Sequence, residues 1–135
     1  MIDLTTGVGP RAANRLKDED IIWLTTVNED GTPQPNPVWF YWDGKMLIIY
    51  SKPGAHRLRN LSRNPKVSLN FHTNDGGDVV VLTGSASINK NPKEHDSRYL
   101  EKYRERIPKI GLTPKSFAAS YSVLIQVTPT RLRGF

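Results

Sequence analysis

Three prolines at alternate positions, Pro33, Pro35 and Pro37, constrain the fold of this chain more than any other feature. Successive residues of a strand direct their backbone N–H groups to opposite edges, so the three prolines remove hydrogen-bond donors from one edge of a single strand. A central strand does not tolerate that loss, and this side must therefore be an edge of the sheet or a gap in it. A gap beside an apolar strand is a natural slot for a flat ring.

The residues that follow the prolines are apolar on both faces of the same strand, which we predict to continue to Trp42. Val38, Phe40 and Trp42 face one way, and Trp39 and Tyr41 face the other. We therefore predict that one face packs inside the sheet and that the other meets a partner subunit or a cofactor. Plain core packing is the alternative for Trp39.

Apolar runs of strand length, joined mostly by short turns, predict a mainly β fold in one domain of 135 residues. The expected strands cover residues 21–27, 32–42, 46–50, 66–71, 79–88 and 121–127, and the last can continue to Arg133 beyond Pro129. The expected helices cover residues 10–17, 55–63, 91–106 and 114–119. Gly84, inside an apolar strand, indicates a bulge or a close backbone approach. This order of elements favours a small antiparallel barrel with flanking helices over a parallel sheet.

The net charge of +6 indicates either an anionic partner or only a soluble surface. The basic residues are spread from Arg11 to Arg133 without a nucleic-acid-binding motif, so we expect no nucleic-acid partner. The absence of cysteine excludes disulfides and thiolate nucleophiles, and the scattered histidines predict no metal site. No signal peptide or membrane span is recognisable, so we expect a cytoplasmic protein without a membrane partner.

The segment from Tyr50 to Phe71 has the pattern of a strand, a tight turn, a short helix and a new strand. Pro53 and Gly54 end the first strand, and Asn64 with Pro65 ends the helix, because a residue before proline is driven out of the helical region. The side of this helix that we expect to be buried consists of Ala55, Leu58, Leu61 and Ser62.

Polar and basic side chains crowd the start of this helix, namely Ser51, Lys52, His56 and Arg57. A helix N-terminus presents unpaired N–H groups and a partial positive charge, so it can hold an anion. The sequence therefore predicts an anion site here, with a solvated basic face on a surface helix as the alternative.

This segment resembles the phosphate-binding strand–turn–helix of the split-barrel flavin proteins related to pyridoxamine 5'-phosphate oxidase. In that family a Thr or Ser after the strand and a basic pair at the helix start hold the flavin phosphate. Ser51 and the pair His56–Arg57 match those positions, and R-N-L followed by N-P-x-V-S-L continues the match. The resemblance extends from about Leu16 to Phe135 and implies a six-stranded antiparallel split β-barrel of the FMN-binding type.

The FMN-dependent oxidases of this family carry an Arg and a Lys in the proline-containing strand, where this chain has Asn36 and Tyr41. The motifs P-V-W-F, D-G-x-P and T-P-x-R-x-R-G-F instead resemble the branch that uses the deazaflavin coenzyme F-420. The resemblance implies an F-420-dependent oxidoreductase that passes a hydride from the reduced coenzyme to a small unsaturated organic acceptor. An FMN-dependent enzyme and a non-catalytic cofactor-binding or storage protein are the alternatives.

The resemblance also implies a homodimer with the cofactor at the subunit interface, where residues 71–73 and 131–135 are expected to approach the partner's cofactor. The residues predicted to bind the cofactor are Asn36, Pro37, Val38, Trp39, Tyr50, Ser51, Lys52, Ala55, His56 and Arg57. The sequence contains no recognisable acid–base or nucleophile arrangement, so it identifies no catalytic residue. Chemistry would then be supplied by the cofactor.

Overall fold

Seven antiparallel strands form one curled sheet in a computed structural model that describes all 135 residues. The strands are β1 (Ile22–Val27), β2 (Pro33–Val38), β3 (Tyr41–Trp42), β4 (Leu47–Ser51), β5 (Lys66–Asn70), β6 (Val80–Asn89) and β7 (Val123–Gly134). Their order across the sheet is β2-β1-β5-β6-β7-β4-β3. The predicted mainly β, antiparallel class is confirmed.

The proline-containing strand β2 is an edge of the sheet, as predicted, because it pairs only with β1. The opposite edge is β3, which follows β2 after only Trp39 and Phe40. The chain thus passes directly from one edge to the other, so the sheet must curl until its edges approach. The prediction of a single strand over residues 32–42 is therefore wrong, and the count rises from six to seven.

A tyrosine side chain replaces strand pairing where the chain crosses between the two edges. The Tyr103 hydroxyl accepts a hydrogen bond from the Phe40 N–H at 2.8 Å and lies 2.8 Å from the Phe40 carbonyl oxygen. It also lies 2.7 Å from the Asp20 carbonyl oxygen. These contacts satisfy buried backbone groups that a regular ladder would otherwise satisfy, so the strand can be interrupted there.

Five helices flank the sheet: α1 (Gly9–Asp18), α2 (His56–Arg63), α3 (Ser97–Lys102), α4 (Arg106–Lys109) and α5 (Pro114–Ser120). The prediction of one helix over residues 91–106 is wrong. The α3 helix begins only at Ser97, because the Asp96 carboxylate caps it by accepting from the Arg98 N–H at 2.8 Å. No helix has both the length and the apolar character required to cross a membrane.

Two apolar clusters lie on the two faces of the sheet. The interior of the curl contains Val38 and Phe40, with Trp42 packed against it. The outer cluster lies beneath α3, α4 and α5 and is formed by Ile48, Tyr50, Tyr99, Tyr103, Ile107 and Phe117. Trp39 and Tyr41 pack against this second cluster. The predicted division of side chains between the faces is confirmed, and the second face meets the chain's own helices.

A buried asparagine joins α2 to the β1–β2 hairpin. The Asn60 Nδ2 atom lies 3.0 Å from Thr26 Oγ1, 2.9 Å from Asn28 Oδ1 and 3.0 Å from Gln34 Oε1. Asn60 is fully buried, whereas Ser62, which we placed on the buried side, is exposed. The apolar pattern misses Asn60, since its burial depends on three acceptors from other elements.

The predicted bulge at Gly84 is confirmed, and it allows β7 to continue past Pro129. The register between β6 and β7 shifts between Thr83 and Gly84, and Gly84 lies opposite Pro129. A Cβ atom at Gly84 would collide with the Thr128 carbonyl oxygen. Only glycine therefore permits this close approach of the two backbones.

Candidate functional site

A cleft of about 400 Å³ opens between the β2–β3 crossing and the helices that cover it. It is lined by Ile21, Pro37, Val38, Trp39, Tyr50, Arg57, Tyr99, Ile110, Phe117 and Tyr121. Most of these side chains are apolar or aromatic, and the volume is in the range of small-molecule sites. The structure thus brings together five of the residues predicted to bind the cofactor, namely Pro37, Val38, Trp39, Tyr50 and Arg57.

Aromatic rings that line the cleft, and the Tyr103 ring beside them, are stacked as nearly parallel plates. The Trp39 ring lies 4.6 Å from the Tyr103 ring at 4° and 5.8 Å from the Phe117 ring at 15°. The Phe117 ring in turn lies 4.7 Å from the Tyr121 ring at 14°. Trp39 therefore packs against the outer cluster and also lines the cleft.

The wall of the cleft opposite β2 is tied together around Tyr50. The Tyr50 ring stacks on the His95 ring at 3.9 Å, and its hydroxyl accepts from the Asp96 N–H at 2.7 Å. His95 Nε2 donates to the Tyr121 carbonyl oxygen at 2.7 Å. Burial raises the pKa of Tyr50, so its phenol stays neutral. These contacts hold the end of α5 against β4.

One end of the cleft is cationic. Arg57 lines the cleft, and its Nη1 donates to Ser51 Oγ at 3.3 Å. Ser51 is fully buried and donates to the Lys52 carbonyl oxygen at 3.1 Å. Arg57 makes no salt bridge, and burial lowers its pKa, an effect that Tyr121 partly opposes. A partly buried guanidinium without a carboxylate partner is suited to an anionic ligand.

The start of α2 adds backbone donors to this end of the cleft. Its N-cap residue, Ala55, offers no side-chain acceptor, and the backbone N–H groups of His56 and Arg57 have no partner in the chain. The His56 ring turns away, with Nε2 3.1 Å from Asn28 Oδ1 and Nδ1 2.6 Å from an Arg59 nitrogen. The structure therefore directs Arg57, but not the side chain of His56, toward the cleft.

The remaining predicted residues lie around this site. Lys52 is exposed, with its Nζ 5.4 Å from the centre of the Tyr121 ring. Asn36 is half-buried on β2, where it pairs with Leu24. Because β2 contains no basic residue, it supplies no cation to the site. Tyr41 is covered by the Arg98 guanidinium, whose central carbon lies 5.1 Å from the ring centre.

Sequence reasoning missed several aromatic residues that complete the cleft. The sequence places Tyr99 only within the helix expected over residues 91–106, and Tyr121 only at the start of the last expected strand. Phe117 and Ile110 also line the cleft, from the region of α4 and α5. No local pattern identifies these residues, because their proximity to β2 depends on how short helices fold back over the sheet.

The pyridoxamine 5'-phosphate oxidase family model matches residues 9–135 of the chain. The chain belongs to this family. Its curated relatives include the pyridoxine/pyridoxamine 5'-phosphate oxidase of Citrobacter koseri, 30% identical over 80 residues, or 58% of this chain and 37% of that protein. The enzyme of the same description from Serratia proteamaculans is 32% identical over 73 residues, or 53% of this chain and 34% of that protein. The match thus spans little more than a third of the length of these family members.

Solved structures of the family's fold superpose over almost the whole chain. A Listeria innocua protein, provisionally assigned as a pyridoxamine 5'-phosphate oxidase, has a TM-score of 0.69 at 23% identity and covers 94% of this chain and 97% of its own. An F-420 reductase has a TM-score of 0.67 at 26% identity, covering 89% and 94%. The heme storage protein HutZ from Vibrio cholerae has a TM-score of 0.70 at 17% identity, covering 96% and 95%. The predicted split-barrel fold is therefore confirmed.

Proposed function

We propose that this protein is a deazaflavin-dependent oxidoreductase that binds coenzyme F-420 in the cleft and delivers a hydride to a small unsaturated organic acceptor. The observation that carries the proposal is the continuity of the aromatic cleft with an unpaired, partly buried Arg57. A ligand that combines a flat ring with a phosphate satisfies both halves of such a site.

The donors at the cationic end fit a phosphate group. Arg57 and Ser51 Oγ converge beside the uncapped start of α2, and Lys52 lies next to them in the chain. Unpaired helix N–H groups and a guanidinium are both suited to phosphate oxygens. In our proposal these residues hold the phosphate, and Pro37 and Trp39 contact the ring.

The choice of F-420 over FMN is supported by β2 and by one comparison. The resemblance implies that the FMN oxidases carry an Arg and a Lys at two positions where this chain has Asn36 and Tyr41. The ring of Tyr41 is covered by Arg98. The F-420 reductase is 26% identical over 89% of the chain. FMN is the second candidate, because the curated relatives of this chain are pyridoxine/pyridoxamine 5'-phosphate oxidases.

Reduced F-420 would supply the hydride when bound. The contribution of the chain is to bind, orient and exclude water, since the cleft is walled by stacked aromatic rings. The only charged side chain that lines the cleft is Arg57, so the cleft favours an apolar acceptor.

The deciding experiment is a titration of the purified protein with F-420 and with FMN, followed by turnover with reduced F-420 and an enone such as cyclohex-2-en-1-one. Tighter binding of F-420 together with oxidation of the reduced coenzyme is the expected result. Preference for FMN would identify the second candidate, and binding of F-420 without turnover across a panel of acceptors would indicate a storage or binding protein. Fractionation of expressing cells tests the proposed cytoplasmic location.

We also propose that the protein acts as a homodimer. Trp23 is 37% exposed on β1, within a depression of about 600 Å³ that also contains residues 71–73 and Arg133. Trp23 pairs with Pro37, which lines the cleft, so the depression and the cleft are adjacent at the edge strand. A second copy that covers Trp23 would also cover the open side of the cleft.

Light scattering across a dilution series, with and without cofactor, tests this arrangement. We expect a dimer whose dissociation is accompanied by loss of cofactor affinity. A monomer that binds the cofactor at full affinity would contradict it.

A further inference from the structure

The hydroxyl of Tyr99 is a polar group that the folded chain leaves unused at the cleft. Tyr99 lies in α3 and is only 1% exposed, with its ring 4.8 Å from Tyr50 at 87° and 5.0 Å from Tyr103 at 47°. No group in the chain forms a hydrogen bond with this hydroxyl. Every side-chain nitrogen or oxygen that is completely buried has a hydrogen-bond partner, so the Tyr99 hydroxyl cannot be completely buried. The small exposed surface of Tyr99 therefore includes its hydroxyl, and because Tyr99 lines the cleft, we infer that the hydroxyl is exposed there.

The two buried tyrosines whose rings contact Tyr99 use their hydroxyls within the fold. The Tyr50 hydroxyl is occupied by the Asp96 N–H, and the Tyr103 hydroxyl by Phe40 and Asp20. Burial raises the pKa of Tyr99 well above its ordinary value, so the phenol keeps its proton over the physiological range. It is therefore a neutral donor in an apolar site, and an unpaired donor there costs free energy unless a ligand accepts its hydrogen bond.

We propose that Tyr99 determines ligand specificity by donating a hydrogen bond from its hydroxyl to a carbonyl oxygen of the conjugated molecule bound in the cleft. This inference rests on the proposed function, because the deazaflavin ring and an enone acceptor both carry such an oxygen. A site with a buried donor discriminates against ligands that lack the matching acceptor, since their binding leaves the donor unpaired.

The test compares the wild-type protein with Tyr99→Phe, which removes only the hydroxyl. Loss of one neutral hydrogen bond should weaken ligand binding by about two- to twelve-fold. If the oxygen belongs to the cofactor, the dissociation constant of F-420 rises. If it belongs to the acceptor, the F-420 constant is unchanged, and the dissociation constant of cyclohex-2-en-1-one from the F-420-loaded protein rises. In either case the carbonyl stretch of that ligand, measured by difference infrared spectroscopy, moves to higher frequency in Tyr99→Phe.

Thermal unfolding of the ligand-free protein separates this role from a structural one. Tyr99→Phe should unfold at the same temperature as the wild type or higher, because the hydroxyl has no partner in the free chain. The matched control is Tyr103→Phe, whose hydroxyl is used within the fold. This control should lower the unfolding temperature, because it removes a hydroxyl on which the fold depends.

Unchanged affinities and carbonyl frequencies in Tyr99→Phe would overturn the inference and leave the proposed function intact. A wild-type protein that binds neither F-420 nor FMN would overturn the proposed function, and the role of Tyr99 with it. A lower unfolding temperature for Tyr99→Phe, with no change in ligand binding, would show that the hydroxyl is structural.

Discussion

Replacing Arg57 by alanine tests the cationic end of the cleft most directly. Arg57 is the charged residue that lines the cleft, it lies 3.3 Å from Ser51 Oγ, and no carboxylate neutralises it. A hydrogen bond to a charged group contributes about 1.5–3 kcal/mol, so Arg57→Ala should weaken F-420 binding by about 12- to 150-fold. Fluorescence titration of F-420 at constant ionic strength measures this loss.

The control is Arg63→Ala on the same helix. Arg63 is exposed, and its guanidinium contacts the Val27 carbonyl oxygen at 3.4 Å and Asn60 Oδ1 at 3.1 Å, with no contact in the cleft. Its removal lowers the net charge by the same amount, so any general effect of charge on an anionic ligand appears in both variants. Equal loss of affinity in the two variants would show that the phosphate is not bound at Arg57.

Stability of the ligand-free protein provides a second measurement on the same variant. Burial lowers the pKa of Arg57, which means that the surrounding protein disfavours its charge. Arg57→Ala should therefore leave the ligand-free protein as stable as the wild type or more stable, although it binds cofactor less well. Loss of stability together with loss of affinity would instead indicate that Arg57 supports the fold, and the binding argument would fail.

Three further predictions concern other parts of the chain. Asn60→Ala should lower the free energy of unfolding by about 1–3 kcal/mol in denaturant titrations, because it leaves the buried hydroxyl of Thr26 without its partner. Burial lowers the pKa of Lys102 from 10.5 to about 8, so the unfolded chain binds the proton more tightly. Stability should therefore rise between about pH 8 and 10, by roughly 1–2 kcal/mol after solvent screening, and this rise should be absent in Lys102→Met. F-420 carries an oligoglutamate tail, which we expect Arg59, Arg131 and Arg133 to attract. Binding of F-420 should therefore fall with salt more steeply than binding of a form without this tail, whereas equal slopes would exclude this role.

The sequence was sufficient to predict features that local chemistry determines. Alternating prolines can occupy only an edge strand, and β2 is an edge. Side chains alternate along an extended chain, so the division of Val38 and Phe40 from Trp39 held even though the strand is interrupted. Gly84 marked a bulge because no other residue fits against the Thr128 carbonyl. Each of these follows from constraints on a few adjacent residues.

Features that depend on contacts between distant segments were not predicted. The interruption between β2 and β3 relies on the Tyr103 hydroxyl, which is 63 residues from Phe40 in the chain. Tyr99 and Tyr121 reach the cleft only because the segment between β6 and β7 folds over the outer face of the sheet. The position of Tyr99 in a charged helix, or of Tyr121 at the start of an expected strand, does not indicate by itself which part of the molecule the side chain will contact.

The sharing of aromatic residues between core and cleft has a consequence for binding. Trp39 is held between Tyr103 and Phe117 by stacking contacts within the chain itself. These rings are ordered when the protein folds, so a flat ligand entering the cleft need not bear the entropic cost of ordering them. The same contacts attach α3 and α5 to the sheet, because the outer cluster draws Tyr103 and Phe117 from those helices or their ends. A substitution at Trp39 should therefore affect stability and cofactor affinity together, whereas removal of the Tyr99 hydroxyl should affect affinity alone. This difference separates a residue that supports the wall of the site from Tyr99, a buried residue whose hydroxyl the fold leaves free.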